Sequence, residues 1–173
     1  MATILFSLSI AVFTFVLFAQ AGTSKLLRPA LYTEVVSRYM GRNTGKGFVV
    51  TIGAMEVLLS ILILVPDTRA AAGLAAAALL LFYGGLMTRQ IGRGGRAMQC
   101  GCGATTSDTV ISPELVVRNF VIAIPVLMAG IGACEAVTPP VLMVGVAAGT
   151  LLSLLYVALD QLIANRQKLQ GWH

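Results

Sequence analysis

The sequence predicts an all-α integral membrane protein, a bundle of five transmembrane helices or, as the alternative, of four. Three observations predict this class. Hydrophobic residues make up 57% of the 173 residues, against roughly 45–50% in an ordinary soluble domain. Charged residues make up only 11%, against about 25% normally. The charges also fall in clusters between long uncharged runs, as they do where membrane spans alternate with wet loops.

Five apolar runs define the predicted spans of one domain that covers residues 1–173. The runs are residues 4–22, 48–65, 70–88, 116–134 and 141–159. The first run has an alternative reading as a cleaved secretory signal, because Ala19-Gln20-Ala21 resembles a cleavage site. No basic residue precedes its apolar stretch, however. We therefore expect a retained first span.

Prolines mark the breaks between the later runs. Pro66 and Asp67 form a turn after the second run, so the second and third runs are expected to make a tight helical hairpin. Pro125 lies inside the fourth run and is expected to kink that helix. Pro139 and Pro140 separate the fourth run from the fifth.

The distribution of basic residues predicts the orientation, because cytoplasmic loops are rich in Lys and Arg. With five spans, every Lys and Arg except Arg69 falls on one side of the membrane. We expect the protein to lie in the inner (cytoplasmic) membrane. This distribution places its amino terminus on the outer side and the loop of residues 89–114 on the cytoplasmic side. The net charge of +5 then faces lipid headgroups. Nucleic acid is excluded as a partner, since no basic stripe is interleaved with aromatic residues.

The loop of residues 89–114 contains Cys100 and Cys102, separated by a single glycine. A disulfide across one residue closes a very small ring, so we expect it to be strained and easily exchanged. Arg93 and Arg96 would stabilise a thiolate in this loop. The pair therefore favours thiol–disulfide exchange. Two free thiols, or a two-thiolate site for Cu(I), are the alternatives.

The remaining candidate metal ligands predict no metal site. Cys134 lies at the far end of the fourth run, where we expect it to pack as a small apolar side chain. His173 is the only histidine, which excludes a histidine-based metal centre or catalytic triad. Three cysteines are also too few for a four-thiolate zinc site.

Glu56 interrupts the second run near its middle, where an unpaired carboxylate is costly. We expect it to be protonated, to face a polar cavity, or to pair with Lys25 or Arg118. A structural hydrogen bond between helices is the simpler alternative. In a small transporter, a third reading of the chain, Glu56 would be the coupling group. Arg118 and Asn119 would fix the loop or reach the headgroups.

Four short motifs occur in a fixed order along the chain. They are Ser24-Lys25-Leu26 after the first run, Glu56 within the second, Cys100-Gly101-Cys102 after the third and Val117-Arg118-Asn119 at the start of the fourth. Together they resemble the MauE family of methylamine utilisation membrane proteins, within the broader MauE/DoxX-like redox-associated group. The resemblance covers residues 1–135. The family's Cys-Gly-Cys is usually followed by Phe-Gly, and here by Gly103-Ala104.

The resemblance implies that the protein assists the maturation of methylamine dehydrogenase and does not itself oxidise the amine. The implied partners are the lipid bilayer, a thioredoxin-like redox protein and, as client, the small dehydrogenase subunit. Cys100 and Cys102 would be the exchanging pair, supported by the polar residues Ser24, Lys25, Glu56, Arg118 and Asn119. No cofactor is expected, and a quinone stays open as an electron carrier. A non-enzymatic subunit or scaffold of a larger complex is the alternative.

Two of these expectations disagree about the side of the cysteine loop. A periplasmic client would place Cys100 and Cys102 outside, whereas the distribution of basic residues places them in the cytoplasm. Either the pair draws on a cytoplasmic source of electrons, or the number of spans differs by one.

Overall fold

The computed structural model of the chain describes residues 1–40, 45–93, 112–131 and 138–170. These residues form α1 (Ala2–Leu27), α2 (Pro29–Met40), α3 (Lys46–Leu62), α4 (Arg69–Gly92), α5 (Pro113–Ile131) and α6 (Pro139–Gln170), with a 3-10 turn at Pro66–Thr68. The all-α prediction is confirmed. The turn at Pro66–Thr68 forms the hairpin between α3 and α4, and α5 continues through Pro125.

Within the described ranges, four helices are long and apolar enough to cross a bilayer, which confirms the membrane class. They are α1, α4, α5 over Pro113–Gly130 and α6 over Pro139–Arg166. The remaining helix of the predicted five-helix bundle is α3, which corresponds to the second run and has 17 residues. That length is about 26 Å at a rise of 1.5 Å per residue, at the lower limit for a span. Whether the bundle has five spans or four therefore depends on whether α3 crosses the membrane.

Despite its length, α3 runs beside α1 over most of the bundle. Gly22, near the end of α1, lies against Gly53 of α3. Towards the start of α1, Ala11 packs in one apolar cluster with Ile63, the residue that follows α3. Residue numbers fall along α1 as they rise along α3, so these two helices are antiparallel. The same cluster contains Ala72 of α4.

The direction alternates through the rest of the bundle. Gly73 lies against Gly130, and Gly84 lies against the ring of Phe120, so α4 and α5 are antiparallel. The last helix, α6, packs beside α1 and runs parallel to it. Gly145 contacts Leu8, and further along both helices the ring centroids of Phe13 and Tyr156 lie 5.9 Å apart. Parallel neighbours need an odd number of helices that cross the bundle between them along the chain, and the short α2 does not cross it. The packing of α3, α4 and α5 meets this condition and favours the five-helix alternative.

The end of the bundle where α1 and α4 finish and where α3 and α5 begin carries most of the cations. We call it the basic end, defined by Lys25, Lys46, Arg93, Arg118 and Arg166. The other end, where α1 begins and α3 finishes, is called the apolar end. Both helices that flank the cysteine loop meet at the basic end, because α4 finishes there and α5 begins there.

At the apolar end, the isolated cation Arg69 has a structural role. Its side chain is buried, and its Nε donates to the carbonyl oxygen of Ile63 at 3.2 Å while Nη2 donates to that of Leu64 at 3.4 Å. The last carbonyl groups of a helix lack partners in that helix. A cation there also interacts favourably with the helix dipole. Arg69 therefore closes the carboxyl end of α3.

The helix α2 was not among the predicted elements. It lies in the basic connection between the first and second runs and has 12 residues. Its side chains Leu31 and Val35 pack in one cluster with Met87 of α4 and Leu115 of α5. This short helix therefore covers the basic end, next to the helix termini that flank the cysteine loop.

Replacement of Gly73 by alanine should destabilise the bundle. The added Cβ would lie 2.8 Å from the Cα of Gly130, and overpacking of this kind costs about 1–3 kcal/mol. Gly85→Ala in the same helix is the control, because an added Cβ there has no described atom within 4 Å and alanine is the better helix former by about 1 kcal/mol. Thermal unfolding in one detergent should give a lower midpoint for Gly73→Ala alone. Equal midpoints would contradict backbone contact between α4 and α5.

Candidate functional site

A buried salt bridge joins the last turn of α1 to the middle of α3. The Nζ of Lys25 lies 2.7 Å from Oε2 and 2.9 Å from Oε1 of Glu56. The two side chains are only 7% and 1% exposed. Of the two partners expected for Glu56, the structure therefore brings Lys25 to it. Arg118 has a different acidic partner.

Close contact between the two helix backbones positions this pair. A Cβ added to Gly22 would lie 2.7 Å from the carbonyl oxygen of Gly53, so only glycine fits at this crossing. Lys25 follows Gly22 by three residues and Glu56 follows Gly53 by three. Residues three apart in a helix share a face. Both charged side chains therefore leave from the faces that touch, one turn from the crossing point.

Two tyrosines complete the surroundings of the pair. The hydroxyl of Tyr83 on α4 donates to Oε1 of Glu56 at 2.6 Å. The Lys25 ammonium lies 5.5 Å from the ring centroid of Tyr83 and 5.6 Å from that of Tyr32 on α2, within the range of cation–π attraction. Buried charges are stable only when further polar contacts offset their lost hydration. Here α2 and α4 supply those contacts.

A second buried ion pair joins α5 to α6. Arg118 binds the carboxylate of Asp160 through its Nη1, and the side chains are 11% and 2% exposed. The guanidinium carbon also lies 5.0 Å from the ring centroid of Tyr156. Arg118 was expected to pair with Glu56, to fix the loop or to reach the headgroups. The structure instead uses it to hold α6 against α5.

The other two polar residues of the motifs have different surroundings. Asn119 is buried, and its Nδ2 donates to the carbonyl oxygen of Leu115 at 3.0 Å and lies 3.8 Å from the sulfur of Met87. Ser24 donates to the carbonyl oxygen of Gln20 at 2.7 Å, within its own helix. Asn119 therefore faces the interior, whereas the observed bond of Ser24 is local.

A small cavity lies between these groups, and every long helix lines it. Its walls are Leu17, Phe18, Ala21, Lys25, Glu56, Leu80, Tyr83, Asn119 and Tyr156. We call this set, with Arg118 and Asp160, the polar junction. The cavity measures about 30 Å³, enough for a water molecule with several polar partners. Small-molecule pockets have volumes of roughly 300–1,000 Å³, so in this conformation the cavity suits water and not a quinone ring.

Sequence reasoning missed four residues of this region: Tyr32, Tyr83, Tyr156 and Asp160. Asp160 directly follows the fifth predicted span, residues 141–159, and so fell outside the predicted bundle. In the structure α6 continues to Gln170, and Asp160 is 2% exposed. A signal was present, since Tyr156 and Asp160 are four residues apart and share a helix face.

The predicted exchanging pair, Cys100 and Cys102, lies in residues 94–111, outside the described residues. Cys134 also lies outside them, in residues 132–137. Their chemistry stays a prediction. The described residues do give the flanks of the cysteine segment, with Arg93 after α4 and Ser112 before α5, both at the basic end.

Comparison with known proteins gives two matches over most of the chain. A family model described as "Methylamine utilisation protein MauE" matches residues 2–134. The methylamine utilization protein MauE of Methylophilus methylotrophus is 29% identical over 177 residues, which cover 92% of this chain and 88% of that protein. No solved structure matches. The family match includes the Lys25–Glu56 pair and Arg118, whereas Asp160 lies beyond it.

Replacement of Lys25 by methionine should be strongly destabilising, because it leaves the Glu56 carboxylate buried without its cation. The expected loss in the free energy of unfolding is about 3–5 kcal/mol. Arg166→Met is the control, since Arg166 pairs with Glu114 at 3.3 Å with side chains 66% and 47% exposed, where a pair contributes about 0–1 kcal/mol. Unfolding of both variants in detergent tests this. Similar losses would mean that the buried pair does not hold α3 on α1.

Proposed function

Since this chain belongs to the MauE family of methylamine utilisation proteins, we propose that it is a membrane thiol–disulfide exchange protein that supports the maturation of methylamine dehydrogenase. The observation that carries the proposal is the family match over residues 2–134. The client is the small subunit of the dehydrogenase, and the redox partner is a thioredoxin-like protein. Cys100 and Cys102 are the exchanging residues.

The described fold is consistent with this role, because it holds the flanks of the cysteine segment firmly. Tyr83 on α4 bonds to Glu56 of α3, and Arg118 at the start of α5 binds Asp160 of α6. Each flanking helix is thus tied to a neighbour by a buried polar contact. A loop that must meet a second protein benefits from fixed ends, since less freedom is lost on binding.

The proposed exchange proceeds in two steps and transfers two electrons. The thiolate of one cysteine, Cys100 or Cys102, attacks a partner disulfide, forms a mixed disulfide and releases one partner thiolate. The second cysteine then attacks the mixed disulfide as a thiolate. This forms the Cys100–Cys102 disulfide and releases the second partner thiolate, so the partner is reduced and the pair oxidised. The reverse sequence oxidises a client dithiol. A strained disulfide is readily reduced, so the small ring of a Cys-Gly-Cys disulfide favours oxidation of the client by the pair.

The proposal needs no bound cofactor, because the electrons pass directly between sulfur atoms. A quinone stays an expectation as a further electron carrier, and the cavity of the polar junction, at about 30 Å³, is too small for its ring. In this scheme the electrons pass through the thioredoxin-like partner.

A membrane scaffold is the second candidate, and the exposure of α6 favours it. Only 22% of the apolar window of α6 is buried inside the bundle, less than in the other candidate spans among the described residues. A helix that exposes so much apolar surface faces lipid or the helices of a larger complex. In the scaffold reading the two cysteines are incidental, so their redox state separates the two candidates.

Cys100→Ser and Cys102→Ser should each block maturation, because exchange needs both an attacking and a resolving sulfur. Each variant should also accumulate a mixed disulfide with the partner. The measurement is the amount of disulfide-complete small subunit in cells that carry only the variant, with non-reducing gels to detect the adduct. Cys134→Ser is the control and should mature the client normally. Full maturation in both loop variants would exclude the exchange role.

We expect the cysteine segment to lie on the cytoplasmic side, with the cations of the basic end. In intact cells, after reduction, Cys100 and Cys102 should then react with a membrane-permeant thiol reagent and not with an impermeant one. Cys134, predicted at the opposite end, is the internal reference. A pair reached only by the permeant reagent would draw on a cytoplasmic source of electrons and would not meet a periplasmic client directly. Labelling of the pair by the impermeant reagent would reverse the orientation and bring the pair to the side of that client.

A further inference from the structure

The carboxylate of Glu56 has an acceptor position that its protein partners do not fill. A carboxylate can accept about four hydrogen bonds. Glu56 receives three, two from the Nζ of Lys25 and one from the hydroxyl of Tyr83. The residue is completely buried. Among the described residues, one acceptor position of this carboxylate is therefore left over.

Asn119 on α5 supplies a second acceptor of the same kind. The residue is 5% exposed. Its Nδ2 donates to the carbonyl oxygen of Leu115 and faces the sulfur of Met87. Its Oδ1, in contrast, accepts no hydrogen bond from any residue in the described part of the chain. Buried side-chain oxygens are rarely left without a partner, so this one indicates a donor that is not part of the protein chain.

The two groups that bind Glu56 do not satisfy both oxygens. The ammonium group of Lys25 has three donors, of which two go to Glu56 and the third faces the carbonyl oxygen of Ala21 at 3.5 Å. The hydroxyl of Tyr83 has one donor, and it goes to Glu56. The junction therefore needs a small molecule that donates two hydrogen bonds and fits between two acceptors.

Glu56 and Asn119 face the same space. Both line the cavity of the polar junction, which measures about 30 Å³. The helices that carry them, α3 and α5, pack on α1 and α4 and, within the described ranges, not along each other. A cavity of this size holds a water molecule, and buried waters typically bond to polar groups that would otherwise lack partners.

We propose that the polar junction binds one water molecule, which donates one hydrogen bond to the carboxylate of Glu56 and the other to the Oδ1 of Asn119. This water joins α3 to α5, two helices that do not pack along each other. With the bonds from Lys25 and Tyr83, it connects Glu56 to α1, α4 and α5. The site goes beyond the proposed function, because it uses no property of the cysteines.

The charges around the cavity favour water over an ion. An anion would face two acceptors, Glu56 and Asn119, and could donate to neither. A metal ion could bind both oxygens, but the ammonium group of Lys25 already lies 2.7 Å from Glu56, and like charges at such distances repel strongly in an apolar interior. A neutral molecule with two donors avoids both conflicts.

The bound water is a fixed part of the fold, since the hydrocarbon core of a bilayer contains no water to replace it. Buried waters of this kind are costly to remove. The water also completes a hydrogen-bonded network around the Lys25–Glu56 pair, and such networks hold their members in one arrangement. Its loss would leave Glu56 and Asn119 each with an acceptor that no donor reaches.

Water-edited solid-state NMR of the full-length protein in lipid bilayers tests the site. Magnetisation starts on water in this experiment and reaches carbon atoms close to a water molecule first. The carboxyl carbon of Glu56 and the amide carbon of Asn119 should receive it at short mixing times. Ala77 on α4 is the internal reference, because it is 3% exposed and is not among the residues that line the cavity. Transfer to Glu56 and Asn119 no faster than to Ala77 would overturn the proposal.

Asn119→Leu tests the bridge itself. It replaces the amide by an apolar group of similar size, so the transfer to Glu56 should fall to the level of Ala77. Ser7→Ala is the matched control. It removes a buried hydroxyl that bonds to Ala129 at 3.0 Å, away from the cavity, and should leave the transfer to Glu56 unchanged.

Two further outcomes would contradict the water bridge. Transfer to Glu56 that persists in Asn119→Leu would show that it passes through proton exchange at Lys25. Transfer that is lost in sodium buffer and returns in choline buffer would assign the site to a metal ion. If Asn119→Leu does not fold, the comparison of Glu56 with Ala77 in the unmodified protein still decides. Each result is independent of client maturation in the Cys100→Ser variant, so the water site and the proposed function fail separately.

Discussion

A carboxylate inside an apolar bundle persists only beside its counter-charge, and this constraint on Glu56 fixes much of the fold. Its cation Lys25 reaches it because α1 and α3 touch at Gly22 and Gly53, one turn away. That contact sets the register of two antiparallel helices. The bond from Tyr83 then places α4 against the same carboxylate. One buried charge thus determines how three helices meet, since any other register would leave it unpaired at a cost of several kcal/mol.

The two buried ion pairs also bear on how the protein is oriented in the membrane. Lys25 and Arg118 are neutralised inside the bundle by Glu56 and Asp160, so neither contributes charge to the membrane surface. Exposed cations nevertheless remain at the basic end, among them Arg28, Lys46, Arg89 and Arg93. At the apolar end Arg69 is buried against helix carbonyl groups. The charge asymmetry therefore survives the removal of the paired residues, which strengthens the argument for a cytoplasmic basic end.

The sequence predicted those features that depend on neighbouring residues and on the cost of isolated charges. Apolar runs located the long helices because hydropathy is a local sum. Lys25 emerged as a partner for Glu56 because few cations lie near a span boundary. The pairing of Arg118 with Asp160, which are 42 residues apart, depends on which helices become neighbours, and no local pattern contains that information. The same reason hid α2, whose apolar side chains acquire a partner only when α4 and α5 meet beneath it.

Glycine and polar residues contribute differently to the packing of this bundle. Glycine contacts join α1 to α3, α1 to α6 and α4 to α5, and they hold the helices by dispersion between closely spaced backbones. The polar contacts lie about halfway along the helices, where the hydroxyl of Tyr83 bonds to Glu56 and Arg118 binds Asp160. At that depth the bilayer offers no water to replace a lost partner. The glycine contacts therefore set how closely the helices approach, and the polar contacts select which helices become neighbours.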